Sequence, residues 1–225
     1  MHSEARARQS LLTDRSTCPT VIPVPTTSDT RERIVSVAAH LFLERSYQAV
    51  GVDEICAAAD ARKGSFYYYF SSKGELAKAV VDLHAETFAA RLAEFSDDDP
   101  VHRLRAIPDM IGAIQTEFES QFGRAVGCPF GNLASELSTT DDALRVHVAQ
   151  FFTAMEQGLA LLCRQAAARG ALRNGVDPDQ LAHSLLAQYQ GVTLLAKLNN
   201  VGVGGISAAL HDFVGVYLSE SSDAP

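Results

Sequence analysis

The 225-residue chain has no tryptophan, three methionines and four cysteines. Cys18, Cys56, Cys128 and Cys163 stand far apart, with no CxxC pair and no metal-ligand rhythm, which excludes zinc-ribbon and dithiol motifs. Reduced thiols in a cytoplasm are the expectation. No apolar run reaches the roughly 18 residues a membrane span needs, and the N-terminus lacks the apolar core of a signal peptide, so a soluble cytoplasmic protein is expected. No stretch alternates polar and apolar residues as a strand does. There is no G-x-S-x-G, no H-E-x-x-H and no dinucleotide fingerprint. Lys63-Gly64-Ser65 copies the tail of a phosphate-binding loop without its upstream glycine. The seven histidines are scattered. No catalytic set, metal or cofactor is therefore expected.

What is present is apolar content of 47% and a net charge of −8 that is unevenly spread. Residues 28–80 hold seven basic against seven acidic residues, while residues 81–225 hold nine against eighteen. A general nucleic-acid binder is excluded by this balance, but a protein that touches DNA through one small neutral module is not. Helical periodicity recurs along the chain, and the fold class read from it is all-α with about nine helices. Residues 1–28, with Pro19, Pro23 and Pro25 among Ser and Thr, show no periodicity and are expected to be a disordered extension. The same is expected of residues 220–225. A first helix should start near Thr30 and end at Arg45-Ser46, and a fourth should run from Ser72 to about Phe95. Ser96-Asp97-Asp98-Asp99-Pro100 restarts the pattern, and Pro108 should kink or break the fifth helix. Pro129 opens a sixth helix to about Leu137, Asp141 caps a long seventh to Gly170, and Asp177-Pro178 opens an eighth to about Asn199. After Gly202, Gly204 and Gly205, a ninth spans about Ile206 to Leu218.

The stretch that organises the chain is Gly51 to Lys73, GVDEICAAADARKGSFYYYFSSK. Val52, Ile55, Cys56 and Ala59 give one apolar helical face, Asp60-Ala61-Arg62 breaks it, and Lys63 to Phe70 restarts it with Phe66 and Phe70 inward. Two short helices joined by a tight turn make a helix-turn-helix, which offers the start of its second helix to a major groove. Lys63, Gly64 and Ser65 there supply a cation, a close backbone approach and a hydroxyl. Lys63, Ser65 and Tyr68 are the candidate base readers, and Tyr67, Tyr69 and Lys73 the candidate phosphate contacts.

This segment resembles the DNA-binding domain of the TetR (tetracycline repressor) family, and TRERIVSVAAHLFLERSYQAV upstream and KGELAKAVV downstream extend the resemblance over about fifty residues. It implies a module over residues 29–75 and an effector-binding and dimerisation domain over residues 76–219. There are departures: Ser46 and Asp60 stand where the family usually has glycine, and Gly51 where it has Thr or Ser. Loss of a phosphate contact at position 51 and the charge of Asp60 put affinity in question rather than the binding mode. Arg31 and Arg33, at the start of the first helix, occupy positions where family members often touch phosphate.

The resemblance further implies a homodimer paired through the eighth and ninth helices, gripping a palindromic double-stranded DNA operator and released by a small-molecule inducer that moves the fourth helix. Those two helices are apolar over more than one face, which requires cover on both sides. Candidate pocket walls are Met110, Phe118, Phe130, Phe152, Met155 and Tyr189, and core packing alone would equally account for many of them. GCPFGNLASEL at 127–137 with GVTLLAKLNN at 191–200 resembles the branch of the family that answers flavonoids, drugs or electrophiles. Cys128 then falls at a helix N-cap, where amides and the helix dipole favour a thiolate, and Lys197 is its possible partner. A buried, inert cysteine shaping a noncovalent pocket is the plainer alternative. A rival of another class is a ligand-binding or catalytic helical protein whose DNA module has decayed.

Overall fold

The computed structural model describes residues 30–95 and 97–219, so the expectations for residues 1–28 and 220–225 lie outside the described residues. Within them the helices are α1 (Thr30–Arg45), α2 (Val52–Ala58), α3 (Lys63–Tyr69), α4 (Lys73–Glu94), α5 (Pro100–Phe122), α6 (Pro129–Leu137), α7 (Asp142–Ala168), α8 (Pro178–Asn199) and α9 (Gly204–Tyr217). An isolated antiparallel bridge between Leu172 and Leu218 is the only β pairing among the described residues. α5 runs unbroken through Pro108, which is buried.

The ends of the long helices are set by side chains that satisfy their free amides. Ser72 Oγ accepts from the Glu75 amide at 3.1 Å at the start of α4. Asp99, Asp141 and Asp177 accept from Val101, Leu144 and Asp179 at 2.8, 2.9 and 2.8 Å at the starts of α5, α7 and α8. Each such cap is worth about 1 kcal/mol. α2 and α3 have no side-chain cap at Gly51 or Arg62, so packing holds them. Ile34 of α1, Ile55 of α2, Phe66 of α3 and Leu76 of α4 are all fully buried.

Ser46 and Asp60, the two positions where glycine is usual, have φ of 98° and 47°. The left-handed backbone explains the glycine preference, and Asp accommodates it better than Ser does. Arg33 anchors the turn at Asp60 by donating from Nε to the Ala59 carbonyl at 3.3 Å.

α1, α2 and α3 pack on one another, and α1 packs on α4, which also packs on α6 and α7. α5, α7, α8 and α9 complete the second bundle. α5 and α9 come close at Gly112, where a Cβ would stand 2.9 Å from Ser207 Cβ. Arg91 of α4 ties to Glu117 of α5 through both carboxylate oxygens.

Candidate nucleic-acid interface and ligand cavity

On α3, Phe66 and Phe70 turn inward as the spacing predicts, and this leaves the rest of the helix outward. Lys63 and Gly64 are exposed and Ser65 is half-buried. Tyr68 is 82% exposed, Tyr67 is exposed, and Tyr69 is half-buried with its ring edge-on to Tyr68 at 4.9 Å. Lys63 Nζ pairs with Asp53 Oδ1 of α2 at 2.6 Å, and this hydrogen bond raises its pKa. Arg62 is exposed beside it with no ion-pair or side-chain hydrogen-bond partner among the described residues. In the sequence Arg62 interrupts the apolar pattern, and it also sets a second cation next to Lys63. Arg31 lies over the Phe70 ring at 5.5 Å.

Lys73 is placed differently from the other α3-side candidates. Its ammonium donates to the Tyr47 carbonyl and sits 4.0 Å from the centre of the Tyr47 ring. Burial lowers its pKa, partly offset by the Glu136 carboxylate. In this conformation it joins α4 to the loop after α1 instead of facing open surface.

The C-terminal half of α4 forms a wall of a cavity of about 320 Å³, closed by α5, α7 and α8. Met110, Met155 and Tyr189 line it, as do Phe88, Leu92, Arg103 and Phe151. Phe118 and Phe130 line instead a void of about 30 Å³ that they share with His84 and Tyr189. Phe152 lines neither space. Successive helical residues are rotated by about 100°, and it is Phe151 that points into the large cavity, stacked on Phe130 with centroids 3.6 Å apart. Phe152 packs behind, edge-on to Phe151 and Phe130.

Cys128 is the N-cap of α6 and only 4% exposed. Its sulfur accepts from the Gly131 amide and from Gln190 Nε2, each at 3.5 Å. The buried Tyr189 hydroxyl lies beside it, and burial, followed by the neighbouring Cys128, raises the phenol's pKa. Lys197 does reach this loop: a Cβ on Gly127 would stand 3.2 Å from Lys197 Cδ. Its ammonium donates to Asn132 Oδ1 at 3.0 Å, not to the sulfur. Burial lowers the Lys197 pKa while Glu136 raises it. Cys56 and Cys163 are also free and buried, and burial pushes the Cys163 thiol up to about 11. Gln115 is fully buried next to Tyr189, and neither of its amide atoms has a partner in hydrogen-bonding geometry among the described residues.

His147, His183 and His211 each take a separate carboxylate: Asp82 at 2.7 Å, Glu156 at 3.1 Å and Asp109 at 2.7 Å. Ser207 also donates to Asp109, at 3.1 Å, so serine and histidine share one carboxylate and do not bond to each other. No group of three metal-ligating side chains occurs among the described residues, and no described helix is long and apolar enough to cross a membrane.

The chain matches the family described as bacterial regulatory proteins, tetR family, over residues 34–80, and the tetracyclin repressor-like C-terminal domain over residues 100–202. It is 33% identical over 178 residues to the transcriptional regulator AcuR of Cereibacter sphaeroides, covering 77% of this chain and 79% of that one. It is 28% identical over 187 residues to the transcriptional repressor NemR of Escherichia coli, covering 77% and 87%. Among solved structures, regulatory protein TetR from Rhodobacter sphaeroides superposes with a TM-score of 0.72 at 30% identity, over 85% of this chain and all of that one. The reduced form of E. coli NemR shares the fold, with a TM-score of 0.68 at 24% identity over 86% of this chain and all of that one. These relatives are regulators and not enzymes. With an exposed helix-turn-helix at one end of α4 and a cavity at the other, this chain belongs to the TetR family of DNA-binding transcriptional regulators.

Proposed function

We propose that the chain is an inducible repressor, which holds a palindromic operator as a homodimer and lets go when a small molecule enters the cavity. The observation that carries this reading is the span of α4. Its first residue, Lys73, is fixed against Tyr47 beside the helix-turn-helix, while Phe88 and Leu92 line the cavity. A 22-residue helix is about 33 Å long, so a small tilt forced at the cavity end moves the recognition helix appreciably. A ligand acts only through its different affinity for the two arrangements. The proposed boundaries are residues 29–75 for the DNA module and residues 76–219 for the effector and dimer domain. Lys63, Gly64, Ser65, Tyr67 and Tyr68 are the proposed contact surface, to which we add Arg62.

The dimer reading is supported by uncovered apolar surface on α8 and α9. Leu194, Leu195, Leu198 and Val216 are exposed, Leu198 to 72%. A Cβ on Gly191 or Gly215 would meet nothing within 4 Å in this chain. Leu181 and Leu185 of α8 belong instead to the chain's own core. Size-exclusion chromatography with light scattering tests the arrangement. Wild type should be a dimer at micromolar concentration and Leu195→Arg a monomer without operator binding; a wild-type monomer refutes it.

A second reading, release by thiol modification, rests on Cys128 at the α6 N-cap with Lys197 over the neighbouring Gly127. The burial of the thiol favours the noncovalent account. Treating the operator complex with hypochlorite or a quinone distinguishes the two. If Cys128→Ser is released as readily as wild type with Cys56 and Cys163 intact, sensing at Cys128 is refuted.

A further inference from the structure

We propose that the molecule received by the large cavity is an amphipathic monocarboxylate, whose apolar body lies among the hydrocarbon walls and whose carboxylate pairs with Arg103. The inference rests on the reading of this cavity as the effector site. Arg103 carries the only charge among the lining residues, which are otherwise aliphatic, aromatic or methionine apart from the Tyr189 phenol. It is half-buried, yet its guanidinium has no ion pair and no side-chain hydrogen bond among the described residues. Asp99, one turn earlier, pairs with a different arginine. Its Oδ1 accepts from the Val101 amide at 2.8 Å and pairs with Arg169 at 3.1 Å.

A permanent cation at the wall of an apolar space, with no ion pair among the described residues, is a position for an anion supplied from outside. The guanidinium fork matches a carboxylate in bidentate geometry, and the low local dielectric strengthens the pair over one in water. The cavity volume of about 320 Å³ corresponds to about ten liquid waters. That admits a body the size of an eight-carbon chain or a phenylpropyl group. Cations are disfavoured by Arg103 itself, and neutral molecules of the same body would leave it unpaired.

The test is calorimetric binding to the full chain of two acid–alcohol pairs with shared skeletons, octanoate with octan-1-ol and 3-phenylpropanoate with 3-phenylpropan-1-ol. Each acid should bind at least about tenfold more tightly than its alcohol, the advantage of one charge-assisted pair. Arg103→Gln, which keeps most of the stem, should erase that preference and leave the alcohols unchanged. Arg103→Lys should retain part of it. Met155→Trp, which fills the cavity, should abolish binding of acid and alcohol alike. Acid and alcohol of equal affinity, no binding of either acid, a preference that survives Arg103→Gln, or acid binding that survives Met155→Trp would each overturn the proposal. The first of these means that the arginine stem merely covers an apolar mouth. None of those results touches operator binding by the unliganded chain, which is measured separately. Lost operator binding with acid selectivity intact would count against the repressor reading instead.

Discussion

The carboxylate of Glu136, in the last turn of α6, accepts a hydrogen bond from the backbone amide of Gln48 at 3.0 Å, in the loop between α1 and α2. Its other oxygen accepts from the Tyr47 amide at 3.3 Å, and Lys73 bonds to the Tyr47 carbonyl. The opposite end of α6 is capped by Cys128, and Asn132 between them is held by Lys197. α6 therefore joins the region of Cys128 and Lys197 to the loop after α1.

Removing that grip should separate binding from response. Glu136→Ala is expected to cost about 1 kcal/mol of stability, for hydrogen bonds at a partly exposed carboxylate. It should leave operator affinity nearly intact while requiring more inducer for release. Denaturant melts and ligand-release titrations on the same variant check this; unchanged inducer response assigns transmission to α4 alone.

Ser46→Gly should stabilise the chain. A serine at φ 98° carries strain that glycine does not. The gain, less the extra backbone entropy of glycine, is about 1 kcal/mol, or about 2–4 °C in Tm for a chain of this size. A melting curve at or below that of wild type contradicts the assignment.

His84, fully buried on α4 and edge-on to Phe130, has a pKa lowered to about 4 by burial. The unfolded chain therefore binds a proton near pH 6.5 that the folded chain refuses. The contribution of the neutral imidazole to stability is complete above pH 6.5 and is lost as pH falls toward 4. Between pH 7 and 5 this amounts to about 2 kcal/mol. Urea midpoints for wild type should fall over that interval more steeply than those of His84→Gln; parallel slopes would show that His84 does not titrate differently in the two states.

At the DNA surface, Lys63→Ala and Lys73→Ala should differ in kind. Lys63→Ala removes an exposed cation and should lower affinity with no change in Tm. Lys73→Ala removes a cation packed on Tyr47 and should lower both. Arg62→Ala should flatten the dependence of log Kd on log salt by about one unit, as for a single phosphate contact. Anisotropy titrations at several salt concentrations, with melts alongside, check all three; an unshifted Tm for Lys73→Ala contradicts its structural role.

The helices were legible because local chemistry wrote their ends: Ser72, Asp99, Asp141 and Asp177 each cap a helix at the place where the pattern restarts. The helix-turn-helix was legible because Phe66 and Phe70 at one-turn spacing take the interior and leave Tyr67 and Tyr68 exposed. The cavity was only partly legible. Helical spacing predicts which side of α7 is apolar but not which neighbour of a phenylalanine pair faces a hollow, so Phe152 was expected where Phe151 stands. Arg103 escaped notice because its meaning lies in Asp99 being occupied elsewhere, which only the packing of Arg169 shows. Nothing local announces that the Tyr47 carbonyl lies within reach of Lys73.

Sequence-specific, two-fold DNA binding is checked by selection from a random duplex pool with the full chain at low salt. An inverted repeat with half-site centres about one helical turn, or about 10–10.5 base pairs, apart should be enriched. Failure to enrich any sequence would contradict it.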